Sequence, residues 1–139
     1  MDAVRRQELA EGQTLQVYRL VHVSEPADPA LAEDMKSNAA KGKPPSGREV
    51  RQPAVHRGLS VYKSHNQAAA LRRRIADRLI ARGSNQPVRI GDYVARLVLS
   101  GPGIGYEDRD EPDGHLTIWG EPSRLAGAVA DISPAEPDR

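Results

Sequence analysis

The chain has 139 residues, 38% hydrophobic and 28% charged, with no cysteine and no phenylalanine. That length fits one domain with a real core, and the missing cysteines exclude disulfides and thiolate metal sites. No apolar run approaches the ~18 residues that span a bilayer, and MDAVRRQELAEGQ lacks the apolar stretch of a signal peptide, so a cytoplasmic protein is expected.

The net charge of +1 conceals an uneven distribution. Residues 63–96 carry eight basic side chains against Asp77 and Asp92, whereas residues 103–139 carry nine carboxylates against Arg109, Arg124 and Arg139. The two halves can attract each other within the fold or in a homodimer, or the basic half can meet a partner with phosphates.

In chain order, residues 1–13 are polar and read as a flexible segment or frayed helix. TLQVYRLVHV, 14–23, is a predicted strand with Leu15, Val17, Val21 and Val23 on one face and Arg19 among them. ALAEDMKSNAA predicts a short helix, and KGKPPSGREVRQP, 41–53, reads as a mobile surface loop because it has prolines, glycines and charges but no periodicity. RGLSVYK, 57–63, is a second strand, with Ser60 and Tyr62 on the face opposite Leu59 and Val61.

SHNQ at 64–67 has capping-box spacing: Ser64 accepts from the amide of residue 67 while Gln67 reaches back. A long amphipathic helix follows over 66–82, with Ala68, Leu71, Ile75, Ala76, Leu79 and Ile80 on its apolar side and Gly83 as its stop. GDYVARLVLS, 91–100, alternates as a strand, GPGIGYEDRDEPDG is expected to be a mostly exposed connection, and HLTIW is the next strand. EPSRLAGAV predicts a short helix with Pro122 in its first turn, VADI a last strand, and 133–139 a flexible tail. The expected fold is a single α+β domain over 14–132, with a mixed or mostly antiparallel sheet and the long helix packed on it.

Several side chains are candidates for chemistry. Arg19 on an apolar face must find an anion, a hydrogen-bonding partner or a route to solvent, so it serves either a bound phosphate or a structural ion pair. Ser60 and Tyr62 offer a hydroxyl and an aromatic plate, or simply form the polar side of a strand. His115, Thr117 and Trp119 share a face suited to stacking on a planar ring, or to covering the sheet. Glu121 ends its strand as a catalytic carboxylate would, or as a residue serving the dipole of the next helix. His22, His56, His65 and His115 have no metal-ligand spacing, so no metal is expected, and GPGIG matches no nucleotide fingerprint. Arg74, Arg78 and Arg82 fall at i,i+4 spacing as a positive stripe, either solvated or contacting nucleic acid or an acidic protein.

YR on a first strand, GLSVY on a second followed by an alanine-rich helix, and a carboxylate near the end of a late strand resemble the small bacterial ADP-ribosyltransferase-like domains, including the RES-type toxins that consume NAD. The resemblance implies NAD as substrate. It makes Arg19 or His22 the holder of NAD phosphates or ribose, Ser60 or Tyr62 the residue shaping the nicotinamide pocket, and Glu121 the group steadying the ribose oxocarbenium ion; the face of His115 and Trp119 is a further candidate for binding NAD. The chain departs from that pattern in having no Ser-Thr-Ser on the second strand and no Glu-x-Glu or Gln-x-Glu near Glu121. It is also similar, over roughly residues 17–132, to short bacterial proteins of unassigned activity that share the order DMKSNAAKGKPP, GLSVY, GHLTIWGEP. The competing expectation is a non-enzymatic binding module using the arginine-rich helix.

Overall fold

The computed structural model describes residues 6–46, 48–51 and 53–136. Its elements are β1 (Gln7–Glu8), β2 (Thr14–Val21), α1 (Leu31–Asp34), α2 (Arg48–Arg51), α3 (Pro53–His56), β3 (Leu59–Tyr62), α4 (His65–Ala81), β4 (Tyr93–Ser100), β5 (Gly105–Asp108), β6 (His115–Trp119), α5 (Pro122–Gly127) and β7 (Val129–Pro134). The strands form one sheet in the order β1-β5-β6-β3-β2-β4-β7, and every ladder between them is antiparallel. The architecture is α+β.

Strand alternation divides the apolar residues between two faces. Val17 and Val21 of β2, Leu59 and Val61 of β3, Leu97 and Leu99 of β4 and Ile118 of β6 join Leu31, Met35 and Leu125 in the main core. On the other face Leu20, Tyr62 and Val94 pack with Ala68 of α4 and with Ala135. A central sheet apolar on both sides explains why β4 buries Val94 as well as its alternating partners.

Helix α4 begins as its cap dictates: the Ser64 side chain accepts from the Gln67 amide at 3.1 Å. The reciprocal half of the box differs from expectation. Gly114 has φ +79° and an added Cβ would lie 2.2 Å from Gln67 Oε1, so the Gln67 side chain has folded against Gly114, and its buried Oε1 has no hydrogen-bond partner. The helix ends in a Schellman pair, Gly83 N–H to Ile80 O and Ser84 N–H to Leu79 O, with Gly83 at φ +68°. Its apolar stripe is buried unevenly: Ala68 and Ala69 are inside, whereas Ile80 is 74% exposed.

Four stretches depart from the sequence reading. Within GPGIGYEDRDEPDG, Gly105–Asp108 is strand β5, held between β1 and β6, and Glu107 is only 6% exposed. Part of the N-terminal segment is structured, because Gln7 and Glu8 pair with β5 and Leu9 enters the core. Strand β7 runs on to Pro134, and the Ala135 amide donates to the Asp92 carbonyl at 2.9 Å. In the 41–53 stretch lies the single-turn helix α2, where Glu49 accepts from the Ser46 amide at 3.1 Å and from Asn38 at 2.8 Å. The first three segments gain order from partners distant in the chain, whereas α2 is held by the nearby Asn38 and Ser46.

Candidate functional site

The sheet has a seam. β2 pairs with β4 through eight consecutive residues but with β3 only at Tyr18 and Tyr62. Arg19 stands where the two strands part. Its Nε donates to the Asp34 carbonyl at 2.9 Å and its Nη1 to the Ser60 carbonyl at 2.7 Å, so one guanidinium ties α1 to β3 across the gap. Burial pushes its pKa down to about 10, against the opposing pull of the Asp34 carboxylate and Tyr62, and it remains a cation at neutral pH.

Asp34 is itself buried and shared. One oxygen accepts from the His22 amide at 2.9 Å, and the other lies 2.5 Å from His22 Nδ1. His22 Nε2 is 2.7 Å from the Arg89 carbonyl. A carbonyl only accepts and a carboxylate only accepts, so both ring nitrogens are best satisfied as donors. The Arg89 carbonyl first, and Asp34 next, hold the His22 pKa above its ordinary value.

Beyond the seam, a cavity of about 220 Å³ opens where the start of β3 meets the end of β6. Met35 and Ser37, just after Asp34, form one wall; Arg57, Gly58 and Leu59 form a second; Trp119, Gly120 and Glu121 form a third. Arg19 thus braces two of these walls through the carbonyls it holds. Gly58 is required by space, since a Cβ there would lie 2.5 Å from Thr117 Cγ2 and 2.9 Å from Trp119 Nε1. Trp119 also carries the Arg6 guanidinium 5.1 Å above its ring. Glu121 is the N-cap residue of α5, yet its side chain makes no capping hydrogen bond and is exposed. A second hollow of similar volume near Val98 and Ile104 contains Arg124, which is engaged with the Ser100 carbonyl at 2.7 Å.

On the α4 face of the sheet lies a polar cluster. Ser60 and Tyr62 of β3 stand opposite Thr117 and His115 of β6. His115 Nε2 is 2.9 Å from Ser60 Oγ and its Nδ1 2.7 Å from Glu111 Oε2, and the Tyr62 ring meets the imidazole edge-on at 5.7 Å. Glu107, paired across from Thr117, takes a hydrogen bond from Arg109 on one oxygen, while the other is buried without a partner.

The residues singled out in the sequence therefore fall into three groups. Arg19 and His22 meet around Asp34, Trp119 and Glu121 meet at the cavity, and Ser60, Tyr62 and His115 meet under α4. Arg19 and Ser60 share no pocket, because their side chains leave opposite faces of the sheet. Sequence reasoning passed over Asp34, Arg57, Glu107 and Glu111. Glu111 had a local signal, its four-residue spacing from His115; Glu107 is joined to its site by pairing with Thr117, Asp34 by its bonds to Arg19 and His22, and Arg57 by lining the cavity just before β3. Among the described residues no group of three or more His, Asp or Glu side chains is arranged to hold a metal ion, and no helix is long and apolar enough to cross a membrane. No protein family, curated protein or solved structure matches the chain.

Proposed function

We propose that the chain binds NAD and breaks its nicotinamide–ribose bond, as ADP-ribosyltransferase-like proteins do. The observation that carries this reading is the cavity lined by Arg57 and by Glu121, whose carboxylate makes no capping hydrogen bond to α5. At about 220 Å³ it accepts one end of a dinucleotide, and the exposed Arg57 stands at its wall where a pyrophosphate would emerge. The C1′–nitrogen bond breaks with its electron pair leaving on nicotinamide, and positive charge develops on the ribose. The Glu121 carboxylate opposes that charge more strongly in the transition state than in the ground state. Water or an acceptor group then bonds to C1′ and gives up its proton. Arg19 acts as a positioning residue through the Asp34 and Ser60 carbonyls.

The test is nicotinamide release, read by chromatography, together with the NAD-induced shift of the unfolding midpoint, with AMP and a short RNA as controls. Glu121→Gln is expected to lower turnover by about 10²–10³ while the NAD shift persists. Equal turnover in that variant removes Glu121 from the mechanism, and no NAD shift in the wild type removes the reading.

A second reading is favoured by a separate observation. Arg73 and Arg78 of α4 and Arg82 at its C-cap are exposed and pair with no carboxylate among the described residues, whereas Arg74 lies 3.8 Å from Asp113 and Arg72 is held by Asp92 at 2.7 Å. That stripe fits a phosphate backbone or an acidic protein. A midpoint shift with RNA alone, weakening steeply as salt rises, selects it.

A further inference from the structure

We propose that Ser60 is the nucleophile of a second site, on the α4 face of the sheet, which takes an acyl ester, with His115 as its base and Glu111 as a positioning residue. The geometry supplies each role. A carboxylate accepts only, so Glu111 at 2.7 Å keeps the proton of a neutral imidazole on Nδ1. Nε2 is then the acceptor, and at 2.9 Å it draws the Ser60 hydroxyl proton toward itself. This is the polarity that general-base activation needs, and the three residues come from a strand, its neighbour and the turn between β5 and β6. His115 is 4% exposed, so its hydrogen bonds act in a low-dielectric setting.

The Glu107 oxygen provides an independent sign of a ligand. Glu107, Thr117 and Ser60 lie in one cross-strand row, and Glu107 Oε2 is buried without a hydrogen-bond partner. A buried acceptor left unpaired is costly, and a bound ester carrying an N–H or O–H donor would satisfy it. In the reaction, Ser60 Oγ bonds to the acyl carbon as its proton passes to His115 Nε2. The ester's alkoxide leaves and takes that proton, and water then cleaves the acyl-serine by the same base, releasing the acid. This site is separate from the cavity at Glu121, so it stands or falls apart from the NAD reading.

The experiment is labelling of the full chain with a fluorophosphonate, which bonds phosphorus to Oγ and expels fluoride, read by mass spectrometry alongside hydrolysis of p-nitrophenyl acetate. One adduct on Ser60 is expected, absent in Ser60→Ala and in urea-unfolded protein. His115→Gln is expected to slow labelling by about 10²–10⁴. Glu111→Gln is expected to move the pH at which the rate levels off downward, because the imidazole loses its carboxylate. Should Ser60→Ala fold poorly, Ser60→Cys replaces it, with alkylation by iodoacetamide that depends on His115. No adduct at Ser60, an equal rate in His115→Gln, or an unmoved pH profile in Glu111→Gln overturns the proposal.

Discussion

The two sides of the β2/β3 seam are built on different principles. On the β2-β4-β7 side an eight-residue ladder runs without interruption between β2 and β4, its inward residues are apolar apart from Arg19 at the seam, and its outer charges form surface pairs such as Arg96 with Asp131. On the β3-β6-β5 side the strands are four or five residues long and the α4 face buries His115, Thr117 and Glu107. A buried ionisable group costs stability unless something recovers it. The contrast teaches that one half-sheet is scaffold and that the other, with the cavity at its end, is where chemistry is to be sought.

The largest expected effect tests the scaffold half. Leu97→Ala removes a fully buried side chain of β4, the strand between β2 and the edge strand β7, and is expected to cost about 2–5 kcal/mol in urea unfolding. Ser60→Ala in the polar half deletes one hydrogen bond to His115 and is expected to cost only about 1 kcal/mol. Similar costs at the two positions would erase the distinction between the halves.

Next comes the seam itself. Arg19→Met keeps the apolar stem but leaves the Asp34 and Ser60 carbonyls without their donor, at an expected cost of about 2–4 kcal/mol. Because those carbonyls brace two cavity walls, the NAD-induced midpoint shift is expected to shrink as well. Loss of stability with an undiminished shift would separate the seam from the cavity.

The smallest effect is a pH dependence at His22. Its folded pKa is raised above 6.5, so its contribution is complete below that value and is lost as pH climbs through the folded pKa. The side chain is 56% exposed, and solvent screening keeps the contribution below about 1 kcal/mol. Unfolding free energies measured at pH 5.5 and 8.5 are expected to differ in that sense for the wild type and to lose that component in His22→Ala.

Much of the fold was legible because it is written locally. The alternation in TLQVYRLV, YVARLVLS and HLTIW marks β2, β4 and β6; Ser64 starts α4 and Gly83 stops it; Pro122 opens α5. Strand β5 was hidden because GYED has the composition of a turn and becomes a strand only between two others. The candidate sites were legible as residue types but not as groupings. Ser60 and His115 are 55 positions apart, and Arg19 and the Ser60 carbonyl 41, so only strand pairing brings them within a hydrogen bond.

The amino-acid sequence by itself determined the alternation of β2, β4 and β6 and where the long helix begins and ends, because those depend on side-chain period, a cap and a glycine at positive φ. The tertiary structure alone decided that β2 and β3 part after one residue pair, that Arg19 closes the gap, that Glu121 and Arg57 line one cavity, and that Ser60, His115 and Glu111 form a line. Each of those depends on register between segments far apart in the chain, and register is a property of the packed sheet as a whole.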